Sequence, residues 1–547
     1  MSECKNCNQN FQITDQDREF YRKIDVPDPT LCPDCRQQRR LVFRNERSLY
    51  SDKCSCCGKN IITMYGAGHQ FPVYCYDCWW GDKMDGLAYG VDFDFSKQFF
   101  PQFLELKNKV PRIYLYNRSS ENSEYTNHAA FNKSCYMTFN AAYNEDCFYS
   151  TNLVIHSHLC VDCHTIDYCE LCHNCFMCER CYGCRDLVLS NDCNDSHFCY
   201  DCNGCHNCLF CYNLRNAEYM IGNKKYSPEN YQQELAKLNL NTQTGYQQAQ
   251  DRFRQIMAQE AIHKFALFYK SDKCTGDYIF NSHNVKDTFY AQACENVCYC
   301  YDAHGNKECY DTYESSIDCQ QQYECEASNW TNFSKFCNLC QECYNLDYCD
   351  YCFNCHDCFA CVGLKKQEFC ILNKKYSEAE YKKIRSKLIE YLKQTGEWGE
   401  FFPLVSSPFT YNESVAMDFY PLTKEQCQAK GYFWRDPDPR EYQKTSYQVP
   451  NDIKEVKDDI LDVVLSCQHC GRNFKLQKTE LDVYRQQNIP VPIACFNCRY
   501  KERITLRHSR QLYNRQCVKC NKAVQTTYAP DRPEKIYCAE CYQKEIY

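Results

Sequence analysis

Polar and apolar positions in two long stretches of the chain follow a period of three, and cysteine is the residue that recurs. Between about residues 118 and 227, and again between about 269 and 378, cysteine occupies every third position over long runs. Several pairs bridge gaps in those runs at a spacing of twelve: Cys135 and Cys147, Cys181 and Cys193, Cys325 and Cys337, and Cys358 and Cys370. A twelve-residue period with small inward side chains predicts stacked coils of parallel strands, a narrow β-solenoid, in each stretch.

Helical patterns follow both stretches. Each run of cysteines ends in Asn-Lys-Lys-Tyr-Ser, at residues 223–227 and 373–377, and the serine is a natural N-cap with Glu229 or Glu378 in the opening turn. The segment 228–268 contains no cysteine and predicts two helices from its apolar spacing. A third helix is expected from Glu378 to Gln394, and residues rich in Phe and Leu before Pro111 predict one short helix.

The two ends of the chain carry one spacing twice. Eight cysteines near the N-terminus are separated by 2, 24, 2, 18, 2, 17 and 2 residues, and eight near the C-terminus repeat these gaps at an offset of 463. The first set is Cys4, Cys7, Cys32, Cys35, Cys54, Cys57, Cys75 and Cys78; the second is Cys467, Cys470, Cys495, Cys498, Cys517, Cys520, Cys538 and Cys541. Each C-x2-C pair, called a knuckle below, is the turn that presents two ligands to Zn²⁺, so each end predicts a module holding two zinc ions.

The composition and the start of the chain favour metal binding over disulfide bonds for these cysteines. The chain has 50 cysteines in 547 residues, and it opens without the apolar stretch of an export signal, so we expect the reducing cytoplasm. About four zinc ions are expected in the terminal modules, with sequential or cross-braced pairing of knuckles both compatible with the spacing. Four thiolates leave no open position for a catalytic water, and no P-loop, nucleophile elbow or H-E-x-x-H motif is present, so we do not expect an enzyme.

The cysteines of the middle allow three interpretations. They can act as small apolar residues in a core too thin for leucine, they can share further zinc or an iron–sulfur cluster between neighbouring coils, or they can form disulfide ladders after export. The first interpretation makes the middle a rigid spacer. The second makes it a thiol-rich metal store or redox buffer.

A row of arginines follows the second knuckle in each module. Steps of four, four and three place the guanidinium groups on one helix face: Arg36, Arg40, Arg44 and Arg47 in one copy, and Arg499, Arg503, Arg507 and Arg510 in the other. The arginines of the row can bind phosphate, or they can pair with carboxylates and donate hydrogen bonds to the zinc-bound thiolates. From Cys467 onward 15 Lys and Arg face 7 Asp and Glu, whereas the whole chain has a formal net charge of −8, so nucleic-acid contact is expected mainly at the C-terminal module.

A resemblance supports the modules. The run Cys467-x2-Cys470-Gly471-x2-Phe474, with Glu480, Tyr484, Pro492 and Cys495-x2-Cys498-Arg499, resembles the probable zinc-ribbon domain family, which implies a treble-clef-like fold. The N-terminal copy has Asn8 where that glycine stands. The order of parts, together with Gly-Glu-Trp-Gly-Glu-Phe-Phe-Pro at residues 396–403, resembles large cysteine-rich zinc-ribbon proteins of candidate-phylum bacteria, a resemblance that implies architecture and no active residues.

We therefore predict a mainly β protein with small helices, in which duplicated terminal zinc-ribbon modules flank two β-solenoid halves. The predicted segments are the modules at 1–95 and 461–547, the solenoid halves at 118–227 and 269–378, a linker helix at 96–117, a helical linker at 228–268, and a helix with an irregular connector at 379–460. The expected function is binding or scaffolding, with nucleic acid, a ribonucleoprotein or another protein as partner. No membrane contact and no small-molecule substrate are indicated.

Overall fold

Small sheets and short helices make up the structure, which is a computed structural model. It describes residues 1–304, 323, 324, 326, 334–341, 343–436, 439 and 441–547. The chain divides into two compact units that each draw on two separate stretches of sequence. Unit 1 contains Met1–Leu115 and Ala266–Asp436, and unit 2 contains Tyr116–Phe265 and Pro437–Tyr547. Each unit therefore combines a terminal module with the cysteine-rich stretch that lies farther from it in sequence.

The N-terminal module of unit 1 consists of two knuckle hairpins and four helices. Strands β1 and β2 form the first antiparallel hairpin, β3 and β4 form the second, and β5 pairs in parallel with β6. The elements are β1 (Ser2–Glu3), β2 (Asn10–Phe11), α1 (Asp15–Lys23), α2 (Pro33–Leu41), β3 (Tyr50–Lys53), β4 (Asn60–Thr63), β5 (Val73–Tyr74), α3 (Tyr76–Trp80), α4 (Phe99–Lys109) and β6 (Arg112–Ile113).

The first cysteine-rich stretch, in unit 2, forms a parallel ladder that we call ladder 1. Its residues pair with residues twelve positions further on, as Asn127 does with Phe139, and β10 contains one extra residue at a register shift. Every third residue along most of the ladder has a left-handed backbone conformation. The direction of the chain therefore changes at short, regular intervals. The strands are β7 (Asn117–Arg118), β8 (Asn127–Ala130), β9 (Phe139–Ala142), β10 (Thr151–Ile155), β11 (His164–Asp167), β12 (Phe176–Glu179), β13 (His206–Leu209), β14 (Glu218–Ile221) and β15 (Lys224–Lys225).

Two helices and a strand complete this part of unit 2: α5 (Pro228–Lys237), α6 (Gln243–Gln255) and β16 (Ile262–Lys264). The Ser227 hydroxyl accepts a hydrogen bond from the Asn230 amide and caps α5, as the sequence predicts. Thr242 caps α6 in the same way. Tyr231 and Phe253 are the buried anchors of the two helices.

The second cysteine-rich stretch, in unit 1, forms ladder 2 with the same parallel pairing, as between Cys358 and Cys370. Its strands are β17 (Phe268–Tyr269), β18 (Gly276–Phe280), β19 (Thr288–Gln292), β20 (Tyr301–His304), β21 (Tyr344–Asp347), β22 (His356–Phe359), β23 (Glu368–Ile371) and β24 (Lys374–Lys375). The predicted partner of Cys337, Cys325, lies outside the described residues. Helix α7 (Glu378–Thr395) follows, with Ser377 in a capping box with Glu380.

The connector after α7 is irregular but ordered by aromatic side chains. It contains two short helices, α8 (Ala416–Phe419) and α9 (Lys424–Ala429). Trp398, Phe401 and Phe402 are all buried in unit 1. The segment 396–403 is therefore part of the core of its unit.

The C-terminal module of unit 2 repeats the plan of the N-terminal one. Its elements are β25 (Leu465–Ser466), β26 (Asn473–Phe474), α10 (Lys478–Gln486), α11 (Phe496–Ile504), β27 (Tyr513–Gln516), β28 (Ala523–Thr526), β29 (Lys535–Tyr537) and α12 (Ala539–Ile546). Strand β29 pairs in parallel with β16, just as β5 pairs with β6 in unit 1. Among the described residues, no helix has the length and apolarity needed to cross a membrane.

Candidate metal centres

The sixteen cysteines of the terminal modules come together in four groups of four. In each group the four Sγ atoms lie within 4.8 Å of one another. The groups are Cys4, Cys7, Cys32 and Cys35; Cys54, Cys57, Cys75 and Cys78; Cys467, Cys470, Cys495 and Cys498; and Cys517, Cys520, Cys538 and Cys541. The pairing of knuckles is therefore sequential, and the cross-braced alternative does not apply.

The spacing of the sulfur atoms fits a tetrahedral metal ion. Across the two knuckles of a group, Sγ to Sγ distances are 3.8 Å for Cys7 and Cys32 and 3.7 Å for Cys470 and Cys495. A tetrahedron with metal to sulfur bonds of about 2.3 Å has edges of about 3.8 Å, so the residues present match the size of a four-thiolate site. All cysteines in the described part of the chain are free thiols, which leaves each group intact for metal.

Backbone conformation explains why these residues form the same turn four times. The fourth residue after the first cysteine of each group is Asn8, Gly58, Gly471 or Asn521, and all four have positive φ angles. Glycine and asparagine tolerate this left-handed conformation best, so Asn8 serves where the resembled family has glycine. Its amide donates to the Cys4 carbonyl at 2.9 Å, which closes the turn.

The second knuckle of each group begins a helix. Cys32, Cys75, Cys495 and Cys538 are the N-caps of α2, α3, α11 and α12. The positive end of a helix dipole favours a thiolate, so helix geometry supports the charge that a metal ligand must carry.

Amide donors prepare the first cysteine of each group for ionisation. The Cys32 amide donates to the Cys4 Sγ at 3.2 Å, and the Cys75 amide donates to the Cys54 Sγ at 3.3 Å. Burial opposes the ionisation of Cys4, but the backbone amides of Cys32, Cys7 and Asn6 outweigh it and lower the pKa of Cys4 to about 6. The pKa of Cys32 is instead raised, first by its hydrogen bond with Cys35, because neighbouring thiols resist ionising together. A dication among the four sulfurs removes that conflict.

The predicted arginine rows lie inside the units instead of on their surface. Arg36, Arg40, Arg44, Arg503 and Arg510 are buried, and Arg47, Arg499 and Arg507 are half-buried. The first arginine of each row holds the carbonyl just before the second knuckle, with Arg36 donating to Leu31 at 2.7 Å and Arg499 to Ala494 at 2.9 Å. A guanidinium held this way stabilises the backbone beside the cysteines of the metal group. Such a structural role was the alternative to phosphate binding for the arginine row.

Carboxylates of the ladders pair with some arginines of each row. In unit 2, Arg499 and Arg503 both reach Asp162, at 2.9 and 2.6 Å. In unit 1, Arg40 lies 3.8 Å from Glu324, and the neighbouring Arg39 binds that carboxylate at 2.7 Å. Because these groups neutralise one another in buried positions, the arginines dock each module on its ladder.

Docking repeats at equivalent positions in the two units. Tyr299 donates to Asp17 in unit 1, and Tyr149, its equivalent 150 residues earlier, donates to Glu480, the equivalent of Asp17, in unit 2. Lys365 donates to the Trp79 carbonyl, and its equivalent Arg215 donates to Tyr542, the equivalent of Trp79. The duplication therefore includes the contacts between module and ladder as well as the parts themselves.

A third docking place keeps its position but changes its chemistry. In unit 1, Asp350 is fully buried and binds Arg112 and Lys107, both at 2.9 Å. In unit 2, the equivalent Tyr200 bonds the ring of His263 at 2.7 Å. A charged cluster in one unit thus corresponds to a neutral pair in the other.

The ladder thiols behave as core residues with weak hydrogen bonds. Most donate to the carbonyl two residues earlier and to another about nine residues later, as Cys160 does to His158 and Cys169 at 3.4 and 3.5 Å. Ser196 makes the same two contacts with its hydroxyl. Within the part of the chain that the structure describes, only the terminal modules bring three or more ligand atoms this close together. The ladder cysteines are buried in the two cores.

Sequence reasoning missed the docking residues. Glu480 and Asp17 share the offset of 463 and are both acidic, a signal that was available in the repeat. Asp162 and Glu324 carried no local signal, because each pairs with arginines hundreds of residues away.

Comparison of the chain with protein-family models, with curated proteins and with solved structures finds no match.

Proposed function

We propose that this protein is a non-catalytic zinc-binding scaffold. Four structural zinc ions hold the terminal modules, which belong to the zinc-ribbon class, and each module is docked on a β-solenoid of stacked coils. The observation that carries the proposal is the set of four-cysteine groups, in each of which the sulfurs lie within 4.8 Å and one pair across the knuckles is 3.7 to 3.8 Å apart. Four thiolates in tetrahedral geometry are a common ligand set of structural zinc, and such a site has no open position for substrate.

The solenoid interpretation is supported by the parallel pairing of residues twelve positions apart in both ladders. A stack of coils resists bending because each coil bonds its neighbours along its whole length. Such a spacer can hold a zinc module in a fixed orientation within its own unit.

Nucleic-acid contact, as part of this proposal, falls to exposed lysines of the C-terminal module. The arginine row is engaged in internal contacts, whereas Lys501, Lys535 and Lys544 are exposed. Phosphate binding by such lysines gives an affinity that falls steeply with salt. Replacing all three by glutamine should weaken binding of a mixed-sequence RNA at low salt and flatten its salt dependence. Unchanged binding or an absence of binding by the wild type would remove nucleic acid from the proposal.

The decisive experiment is a metal analysis of the native protein together with a thiol count after denaturation without reductant. With 16 of the 50 cysteines binding metal, we expect four zinc ions, and the other 34 cysteines as free thiols once the metal-bound ones are discounted. Eight or more metal ions would place metal in the ladders and overturn the scaffold, and iron in place of zinc would contradict the zinc assignment. Disulfides among ladder cysteines would contradict the reducing environment that the proposal assumes.

A further inference from the structure

A fifth cysteine lies beside one of the four metal groups. Cys56 stands in the knuckle between the first two ligands of the second group, which consists of Cys54, Cys57, Cys75 and Cys78. Among the described cysteines outside the metal groups, Cys56 and Cys274 are half-buried and the others are buried. The second group therefore has a neighbouring thiol that binds no metal and that solvent reaches.

Cys56 is the third residue of its knuckle, and this residue has the same backbone position in all four groups. The backbone amide of the third residue donates to the sulfur of the first cysteine in each group. The third residues are Asn6, Cys56, His469 and Lys519. The four knuckles are thus built alike, and the second one alone carries a thiol at this position.

The side chain of the third residue lies next to the fourth cysteine of its group. In the first group, the Nδ2 of Asn6 donates to the Sγ of Cys35 at 3.3 Å. In the second group, burial raises the pKa of Cys78, and hydrogen bonds with the thiols of Cys75, Cys57 and Cys56 raise it further. The Cys56 thiol therefore contacts the fourth ligand of its group, as the Asn6 amide does in the first group.

We propose that Cys56 is an oxidation site, at which hydrogen peroxide drives formation of a disulfide with Cys78 and thereby releases zinc from the second group alone. Zinc in that group is part of the proposed function, on which this inference rests. The described contacts supply what such a site needs, namely a metal-free thiol held against a metal ligand and open to solvent.

The reaction consumes one peroxide molecule for each disulfide. The Cys78 thiolate attacks the O–O bond, becomes a sulfenic acid and expels hydroxide. The Cys56 thiol then attacks the sulfenic sulfur, and its proton leaves with the sulfenic oxygen as water while the S–S bond forms. Each sulfur loses one electron, and both peroxide oxygens are reduced. Cys78 is then lost as a ligand, and the three remaining thiolates bind zinc less tightly.

The other three groups lack the second reactant. Asn6, His469 and Lys519 contain no sulfur, so a sulfenic acid formed in those groups has no metal-free thiol at the equivalent position. A thiol already held in contact reacts in a unimolecular step, whereas a thiol that must arrive from elsewhere does not have this advantage. We therefore expect the second group to lose its zinc first.

The test measures zinc release from the full-length zinc-loaded protein after addition of hydrogen peroxide, with a colorimetric chelator. One ion per chain should leave at least about tenfold faster than the other three, because the resolving thiol is already in place. Reduction of the disulfide followed by added zinc should restore the fourth ion. Trypsin cuts after Lys59, so a disulfide between Cys56 and Cys78 joins two peptides that tandem mass spectrometry identifies.

Two variants exchange the third residues of the first and second groups. Cys56→Asn should keep all four ions before oxidation and lose the fast release, because asparagine already occupies this position at Asn6. Asn6→Cys should create a second rapidly released ion. Cys274→Ser removes the other half-buried thiol outside the metal groups, so it is the matched control and should release zinc as the wild type does.

The outcomes separate this inference from the proposed function. Fewer than four zinc ions before oxidation would contradict the proposed function. Four ions that all leave at one rate would overturn the oxidation site alone. The site is also overturned if Cys56→Asn keeps the fast release, if Asn6→Cys adds no second fast ion, if Cys274→Ser slows the release, or if Cys56 is joined to a cysteine other than Cys78.

Discussion

Units 1 and 2 keep the same docking positions, but the chemistry at these positions is not always the same. At one place a buried cluster of Asp350, Lys107 and Arg112 corresponds to the neutral pair of Tyr200 and His263. Burying charges is costly unless every partner is present, whereas a neutral hydrogen bond needs only two groups. Backbone pairing therefore sets the positions of the docking contacts, and these positions are the same in both copies. The side chains at each position can differ as long as their charges and hydrogen-bonding groups are paired.

The largest expected effect comes from removing a metal ligand in one unit. Cys495→Ser should lose one of four zinc ions and open the module of unit 2, because a structural zinc site contributes on the order of 10 kcal/mol. Cys32→Ser should do the same in unit 1 alone. Zinc content and mapped proteolysis measure both outcomes, and Cys163→Ser, in the ladder core, is the control that should keep all four ions. If the protease cleaves both units in either variant, the two units do not unfold separately.

Next in size is the contrast between the charged and neutral docking places. Asp350→Asn leaves Lys107 and Arg112 without a buried counter-charge, so it should cost about 3 to 5 kcal/mol. Tyr200→Phe removes one hydrogen bond to His263 and should cost about 1 kcal/mol. Denaturant unfolding of each variant measures the difference. Equal losses in the free energy of unfolding would mean that breaking the charged cluster costs no more than removing one neutral hydrogen bond.

Glu480 gives unit 2 a predicted pH dependence of stability. Burial raises the pKa of Glu480 to about 7, above its ordinary value, while Tyr149 and Tyr484 donate to its carboxyl group. A raised folded-state pKa gives stability that is complete below about pH 4.5 and is lost as the pH rises through 7, on the order of 3 kcal/mol in all. Melting of the wild type and of Glu480→Gln between pH 5 and 8 isolates this contribution. A constant difference between them would contradict the assignment.

The smallest effect is expected in the ladder core. Cys163→Ser should cost less than about 1 kcal/mol, because serine already makes the same carbonyl contacts at Ser196. Cys163→Leu should cost about 1 to 3 kcal/mol by overfilling the narrow interior. Thermal unfolding compares the two, and a large loss for serine would show that sulfur itself is required.

Local spacing predicted local structure well. The sixteen module cysteines form the expected groups, and helices α4, α5, α6 and α7 lie within the segments predicted for them or within one residue of them. These features depend on residues close in sequence, such as Ser377 and Glu380 at the start of α7. The spacing also left the pairing of knuckles open, and the structure shows the sequential form.

Long-range contacts were not predictable in the same way. The arginine spacing indicated one helix face but not what that face meets, since Asp162 is 341 residues from Arg503. Nothing in the repeats shows which module docks on which ladder.

Each unit combines a terminal module with a ladder that is far from it in sequence, and this order has a consequence for synthesis on the ribosome. Asp17 and its docking partner Tyr299 are 282 residues apart, so at about 5 to 20 residues per second the first module waits on the order of 15 to 60 seconds for that contact. Unit 2 closes only when the last module emerges, since Tyr149 must await Glu480. Early capture of zinc would let each module hold its shape alone during that interval.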